Sequence, residues 1–312
     1  MPLPPVMNGR LAIPVIAAPL FIISHPPLVI AQCRAGVVGS FPSLNARPAA
    51  QLDEWLHEIA AALTPADAPF AVNLIVHKSN DRLDADLETV VRHRVPVVIT
   101  SLGAREDVNR AVQAYGGIVL HDVIHDRFAR KAVEKGADGL IAVAAGAGGH
   151  AGTLSPFALV SEIRRWFNGP LALSGAIATG GAVLAARAAG ADLAYVGSAF
   201  IATEEARAEE RYKRAVVEAG ASDIIYTNLF TGVHGNYLAS SIRAAGLDPA
   251  NLPESDASKM SFAGGEGSKR AWRDIWGAGQ GVGAVDEVVP AAALVARLRA
   301  EYAAARARLA EG

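Results

Sequence analysis

The strongest chemical signal in the chain is a histidine set in glycine, Gly148-Gly149-His150-Ala151-Gly152. Imidazole changes charge near neutral pH, so it can take up or deliver a proton and can hydrogen-bond an anion. From Ala144 to Gly149 there is only glycine and alanine, which lets a ligand approach the main chain and predicts that the ring is carried on a loop, outside a packed core. The other histidines carry less: His25, His57, His93 and His125 fall on or near expected helices, and His77 and His234 in loops.

Two turns of small residues add a second chemistry. Leu173-Ser174-Gly175-Ala176 leads to Thr179-Gly180-Gly181 at an expected helix start, and Val196-Gly197-Ser198-Ala199 forms a similar turn. Glycine exposes backbone N–H groups and a helix start adds a favourable dipole, so the pair predicts a phosphate site in which Ser174 and Ser198 supply hydroxyls. Ala17-Ala18-Pro19-Leu20 offers small residues to a flat ligand, and Asn73 puts an amide where an aliphatic side chain would pack more simply. In His121-Asp122 the acid reads as an orienting group, not as a metal ligand.

These residues share a position. Val/Ile/Ala-rich runs recur at 15–20, 36–42, 70–76, 95–102, 117–123, 139–145, 170–176 and 193–200, and the chemical residues stand at or just past their C-terminal ends. Most runs are continuously apolar, as strands covered on both faces must be, and helical patterns separate them. Amphipathic helices are expected over 51–63, 81–93, 106–115, 126–135, 156–167 and 181–189; in the first, Leu52, Trp55, Leu56, Ile59 and Leu63 share a face. Eight such units predict a (β/α)8 TIM barrel, in which active sites lie at the C-terminal ends of the strands. Lys135-Gly136-Ala137-Asp138 and Ala189-Gly190-Ala191-Asp192 are one helix-stop device used twice. A closing helix is expected over 203–219, completing a barrel over 1–220, and a C-terminal extension over 221–312 packs on it: a Gly/Ser/Asn/Asp-rich insert or lid over 222–283 and a helix over 289–309.

Composition narrows the function. The 312 residues carry 29 Lys+Arg against 31 Asp+Glu with no basic stripe, so nucleic acid is not an expected partner. The single cysteine, Cys33, excludes an internal disulfide and a Cys-based cluster, and no His or carboxylate spacing suits a metal. The N-terminus lacks a basic leader and Pro14, Pro19, Pro26 and Pro27 interrupt the apolar stretch that follows, so neither a signal peptide nor a membrane span is expected, and the cytoplasm is the natural location. There is no dinucleotide fingerprint after the first strand and no Gly-Lys-Ser/Thr loop. A phosphosugar isomerase or aldolase barrel would need a Schiff-base lysine or carboxylate base at a strand end; the nearest lysine is Lys78, just past the third run.

With the strand ends in view, residues 11–283 resemble the nitronate monooxygenase family, formerly called 2-nitropropane dioxygenases, whose members are FMN-dependent barrels. The resemblance rests on Ala18-Pro19-Leu20, Val72-Asn73-Leu74, Gly148-Gly149-His150-Ala151-Gly152, Ser174-Gly175-Ala176, Val196-Gly197-Ser198-Ala199-Phe200 and Ala278-Gly279-Gln280-Gly281. It implies FMN across the barrel mouth, with its phosphate on Ser174, Gly175, Gly197 and Ser198 and its ring near Ala18, Pro19, Leu20, Asn73 and Gln280. His121, Gly149 and Ala176 complete the expected cofactor contacts, and His150 matches the family's active-site histidine. Two positions depart from the family pattern: His121-Asp122 stands where several relatives have His-Lys, and Ser174-Gly175-Ala176 where some have Ser-Gly-Gly.

The implied reaction is oxidation of alkyl nitronates, and of nitroalkanes, by oxygen to a carbonyl compound and nitrite, with the histidine near its ordinary pKa holding the nitro oxygens or removing an α-proton. A homodimer is compatible with it. Tyr226, Phe230, His234, Asn236 and Tyr237 read equally well as a pocket cover or as the core of the insert. The rival is another flavin enzyme with the same loop and histidine, an NAD(P)H:quinone reductase or an enoyl-acyl-carrier-protein reductase.

Overall fold

The computed structural model describes residues 3–255 and 274–311. Eight parallel strands form one sheet: β1 (Val15–Ala17), β2 (Gly39–Pro42), β3 (Phe70–Ile75), β4 (Val97–Ser101), β5 (Ile118–Val123), β6 (Gly139–Val143), β8 (Leu171–Ser174) and β9 (Leu193–Val196). Their order is β1-β9-β8-β6-β5-β4-β3-β2, and a bridge between Ile16 and Val38 closes the ring, Ala17 N donating to Val38 O at 2.8 Å. This is the expected (β/α)8 barrel. A second, antiparallel sheet joins β7 (Gly149–His150), β10 (Ile224–Thr227) and β11 (Gly235–Leu238).

Strand side chains alternate between two cores. Ile16, Val38, Ala71, Ile99, Leu120, Ile141, Ala172 and Tyr195 point into the barrel, while Ala17, Val72, Val98, Val119, Ala142, Leu173 and Val196 meet the surrounding helices. At the N-terminal end of the strands Met7 is fully buried in the inner cluster, and Leu3, Pro4 and Pro5 lie near Ile118, Asp138 and Pro170. Met7 thus fills the interior at that end, and the candidate residues stand at the opposite ends of the strands.

The repeated helix stop works as its composition predicts. Gly136 and Gly190 take φ of +88° and +114°, in the region that favours glycine. Each following aspartate then caps a neighbouring strand: Asp138 Oδ2 accepts Val119 N at 2.7 Å and Asp192 Oδ2 accepts Leu171 N at 2.9 Å.

Two expectations are corrected. The eighth run stops at Val196 as a strand, and Ser198–Ile201 turns into a short helix. The helix expected over 203–219 is restricted to Glu210–Glu218, because the backbone before it is committed elsewhere: Thr203 bridges to Val289, and Glu204 N donates to Val289 O at 3.0 Å. The helix that completes the outer ring is the terminal one, Ala291–Ala310, packed against Gly180–Ala188 and Pro26–Arg34. Gly180 makes the approach possible, since a Cβ there would strike Leu298 O and Tyr302 N, and its own N–H donates to Glu301 Oε2 at 2.7 Å. Residues 203–290 are thus inserted between the last strand and its helix. Of the insert expected over 222–283, residues 256–273 lie outside the described residues. No helix among the described residues is long and apolar enough to cross a membrane.

Candidate active site

His150 does not sit on an open loop. It lies in β7, paired with Gly235 of β11, so the insert reaches back over the barrel mouth and fixes the histidine's backbone. Its Nε2 is 3.1 Å from Thr231 Oγ1, and that hydroxyl donates to Val233 O at 2.9 Å. With its hydrogen spent on Val233, Thr231 acts as acceptor, which sets the tautomer: Nε2 carries the proton and Nδ1 is the basic atom. Burial pushes the pKa down to about 4, against the near-neutral value expected from sequence, so the ring is uncharged at neutral pH.

Close backbone contacts between glycine-rich turns build the floor beside it. Gly146 O accepts Ala176 N at 3.2 Å and Gln280 N at 2.9 Å, tying the turns after β6 and β8 to the 278–281 segment. Ser198 Oγ accepts Gly279 N at 2.8 Å, bringing in the turn after β9. Ala18 N donates to Val196 O at 2.8 Å, and a Cβ on Gly197 would lie 3.5 Å from Ala18 Cβ and 3.7 Å from Leu20 Cδ2, which adds the turn after β1. Glycine is required where these strands of chain cross. A Cβ on Gly148 would come within 2.8 Å of Gly279 N, and one on Gly175, whose φ is +148°, within 2.8 Å of Ala145 O. Ala176 adopts φ +53°, a left-handed conformation that glycine takes without strain.

The structure therefore gathers Ala18, Leu20, Gly149, Ser174, Gly175, Ala176, Gly197, Ser198 and Gln280 around one opening, with Pro19 between two of them in sequence. Asn73, buried on β3, faces the interior below, its Nδ2 donating to Ile99 O at 3.2 Å and Ser101 Oγ at 2.8 Å. His121 is the exception and a correction. It shares its strand face with Val119 and Val123, which pack on the helices, and its Nδ1 lies 2.6 Å from Thr100 Oγ1. Burial pushes its pKa down to about 4, and it does not face the opening. A one-residue step reverses the face of a strand, so Asp122 is the member of the pair that points inward.

Thr231, which sets the histidine tautomer, and Ser101, which joins Asn73 to Asp122, were missed from sequence. A threonine in an irregular insert and a serine at a strand end carry no signature that could have found them. The insert aromatics divide between the two readings left open: Tyr237 is buried with Phe230 edge-on at 5.2 Å in an insert core, whereas Tyr226 is 40% exposed, stacks on His234 and donates to Ala151 O at 3.0 Å. Asn236, also buried, donates from Nδ2 to Ala147 O at 2.6 Å and locks the insert to the histidine turn.

Comparison with known proteins follows the same lines. The family model described as nitronate monooxygenase matches residues 80–301. A nitronate monooxygenase of Paraburkholderia phytofirmans is 27% identical, the match covering 92% of both chains. Among solved structures, a nitroalkane oxidase from Streptomyces ansochromogenes aligns with a TM-score of 0.85 at 26% identity, over 97% of this chain and 99% of that one. FabK from Thermotoga maritima aligns with a TM-score of 0.78 at 25% identity, over 96% of each.

Proposed function

Because the chain belongs to the nitronate monooxygenase family, a family of oxidoreductases acting on nitronates and nitroalkanes, we propose that it is an FMN-dependent enzyme that uses oxygen to convert alkyl nitronates to carbonyl compounds and nitrite. The observation that carries this reading is a neutral His150, held by Thr231, beside a floor of crossed glycine turns.

The residues fit the cofactor. Among the described residues the N–H groups of Gly175, Gly197 and Ser198 have no acceptor, and they stand at the two turns where a phosphate is expected. Ser174 and Ser198 add hydroxyls, the latter with its oxygen accepting Gly279 N and its hydrogen left to donate. Ala18, Pro19, Leu20, Gly149 and Gln280 would border the ring and Asn73 would approach it from the interior. Bound FMN would supply the electron-accepting ring and the reactivity with oxygen.

The state of His150 selects the substrate. A group with a pKa near 4 is a weak base toward the α-carbon of a neutral nitroalkane, whereas a nitronate has already lost that proton. Nε2–H can be shared between Thr231 and a nitro oxygen, orienting the anion, and the approach of negative charge raises the affinity of Nδ1 for a proton. The preference is therefore for nitronates over nitroalkanes.

The test is anaerobic mixing of the FMN-loaded protein with an alkyl nitronate, with the parent nitroalkane, with NADH and with NADPH. Bleaching of the flavin absorbance by the nitronate, followed by oxygen-dependent recovery and nitrite release, supports the reading. Faster bleaching by NADH or NADPH would move the assignment to a reductase, and a protein that takes up no FMN would end it.

A further inference from the structure

Asp122 has no part in the reaction as proposed, yet it is an acid turned into the barrel beneath the mouth. It stands next to the last residue of β5, on the face of Leu120, and Ser101 Oγ of β4 donates to its Oδ2 at 2.6 Å. Ser101 in turn accepts Asn73 Nδ2 of β3 at 2.8 Å, so the carboxyl is joined across three adjacent strands to the amide assigned to the ring. The other groups around it are known. Val143 of β6 is apolar, Tyr195 of β9 stays protonated because burial and the charge of Asp122 both raise its pKa, and His121 faces the helices. Among the described residues Asp122 has no cationic partner.

We propose that Asp122 is an electrostatic tuning residue: an ionisable carboxyl, wired to Asn73 through Ser101, that opposes electron uptake by the bound flavin when ionised. The inference rests on the FMN reading above. Reduction places negative charge on the ring, and a carboxylate in the same poorly screened interior raises the free energy of the reduced state. Burial pushes the Asp122 pKa up to about 6, with Ser101 donation pulling the other way, so the opposition is switched off in mild acid.

The experiment is the midpoint potential of the FMN-loaded protein between pH 5 and pH 8, for the natural chain, Asp122→Asn and Ser101→Ala. Asp122→Asn should match the natural chain at pH 5 and lie above it at pH 8, by about a tenfold change in the ratio of reduced to oxidised flavin affinity, or about 30 mV for a two-electron couple. The natural chain should show a bend near pH 6 that Asp122→Asn lacks. Ser101→Ala, which removes the donor favouring the carboxylate, should move that bend to higher pH, a displacement that a purely structural role would not produce. Potentials in Asp122→Asn that follow the natural chain at pH 8, or a bend unmoved in Ser101→Ala, overturn the proposal while the flavin reading stands. Failure to bind FMN, read by fluorescence titration beforehand, overturns both.

Discussion

Two adjacent glycines, Gly148 and Gly149, should respond to the same substitution for different reasons. In Gly148→Ala the new methyl would sit 2.8 Å from Gly279 N, 3.0 Å from Ala278 C and 3.2 Å from Ala278 Cα, all backbone atoms that cannot rotate away. Reaching an ordinary contact of 3.4 Å moves the 278–281 segment by the difference, about 0.6 Å. Two hydrogen bonds lie in the path of that shift, Gly279 N to Ser198 Oγ at 2.8 Å and Gln280 N to Gly146 O at 2.9 Å. Overpacking by one methyl costs about 1–3 kcal/mol, and each of the two weakened hydrogen bonds about 0.5–1.5 kcal/mol, giving about 2–6 kcal/mol in all. With an unfolding entropy of about 2.1 cal/mol/K per residue, that is a fall in Tm of roughly 3–9 °C for a chain of this length.

In Gly149→Ala the Cβ meets nothing within 4 Å, but φ is +65°. Only the left-handed penalty applies, about 1–2 kcal/mol, or roughly 2–3 °C. Thermal melts with and without FMN, together with FMN titration by fluorescence, separate the two. Gly148→Ala should lose both stability and FMN affinity, because the displaced segment carries Gln280 and holds Ser198; Gly149→Ala should lose stability with a smaller effect on affinity. A Gly148→Ala protein that melts within 1 °C of the natural chain and binds FMN equally well would refute the crossed-turn account of the site.

Further outcomes follow from the same geometry. His150→Asn should lower turnover with an alkyl nitronate by about 100-fold or more while the bound-flavin spectrum stays intact, read by oxygen consumption beside an absorbance scan. Thr231→Val removes the acceptor for Nε2–H and should lower kcat/KM less than His150→Asn does, mainly through a higher KM, seen in steady-state kinetics. Stability should rise with pH between about 4 and 6.5: His121 and His150, both held near 4 when folded against 6.5 ordinarily, bind fewer protons in the fold than in the unfolded chain. Asp122, raised from 3.8 to about 6, has the opposite slope but is one group against two. Urea midpoints at pH 5 and pH 7 check the sign, and His121→Gln should flatten the dependence. Gly180→Ala, despite a gain in helix propensity of about 1 kcal/mol, should destabilise the protein because its Cβ meets main-chain atoms of the terminal helix, a net loss that urea unfolding would detect.

The parts of the fold that repeat were legible in the sequence. Strands buried on both faces must be apolar without interruption, and helix stops need glycine, so runs such as 70–76 and devices such as Lys135-Gly136-Ala137-Asp138 declare themselves locally. Pairing between distant segments was not legible. Thr203 and Glu204 look helical in isolation, and only their bonds to Val289 at the far end of the insert remove them from a helix; the terminal helix finds its place in the ring because Gly180, more than a hundred positions earlier, lacks a side chain. Likewise, nothing local in Gly149-His150 announces that Gly235-Asn236 will pair with it and convert a loop into a strand.

His121 and Asp122 show where reading chemistry off residue types reaches its limit. In a half-exposed strand the polar residues mark the solvent face, so parity can be read directly; in a doubly buried strand both faces are apolar and the pattern contains no phase. For β5 the sequence Ile118-Val119-Leu120-His121-Asp122-Val123 therefore permits either polar residue to face the opening, and the expectation for His121 rests on the family resemblance alone. The phase is set by β4, where Ser101 and Thr100 alternate in the same way: Thr100 meets His121 on the helix side and Ser101 meets Asp122 on the inner side. The two strands confirm one another, because exchanging the faces of one would separate both hydrogen-bonded pairs. The interior of the barrel thus receives a carboxyl and its neutral donor, so that the one acid on this face of β5 carries a charge that depends on pH.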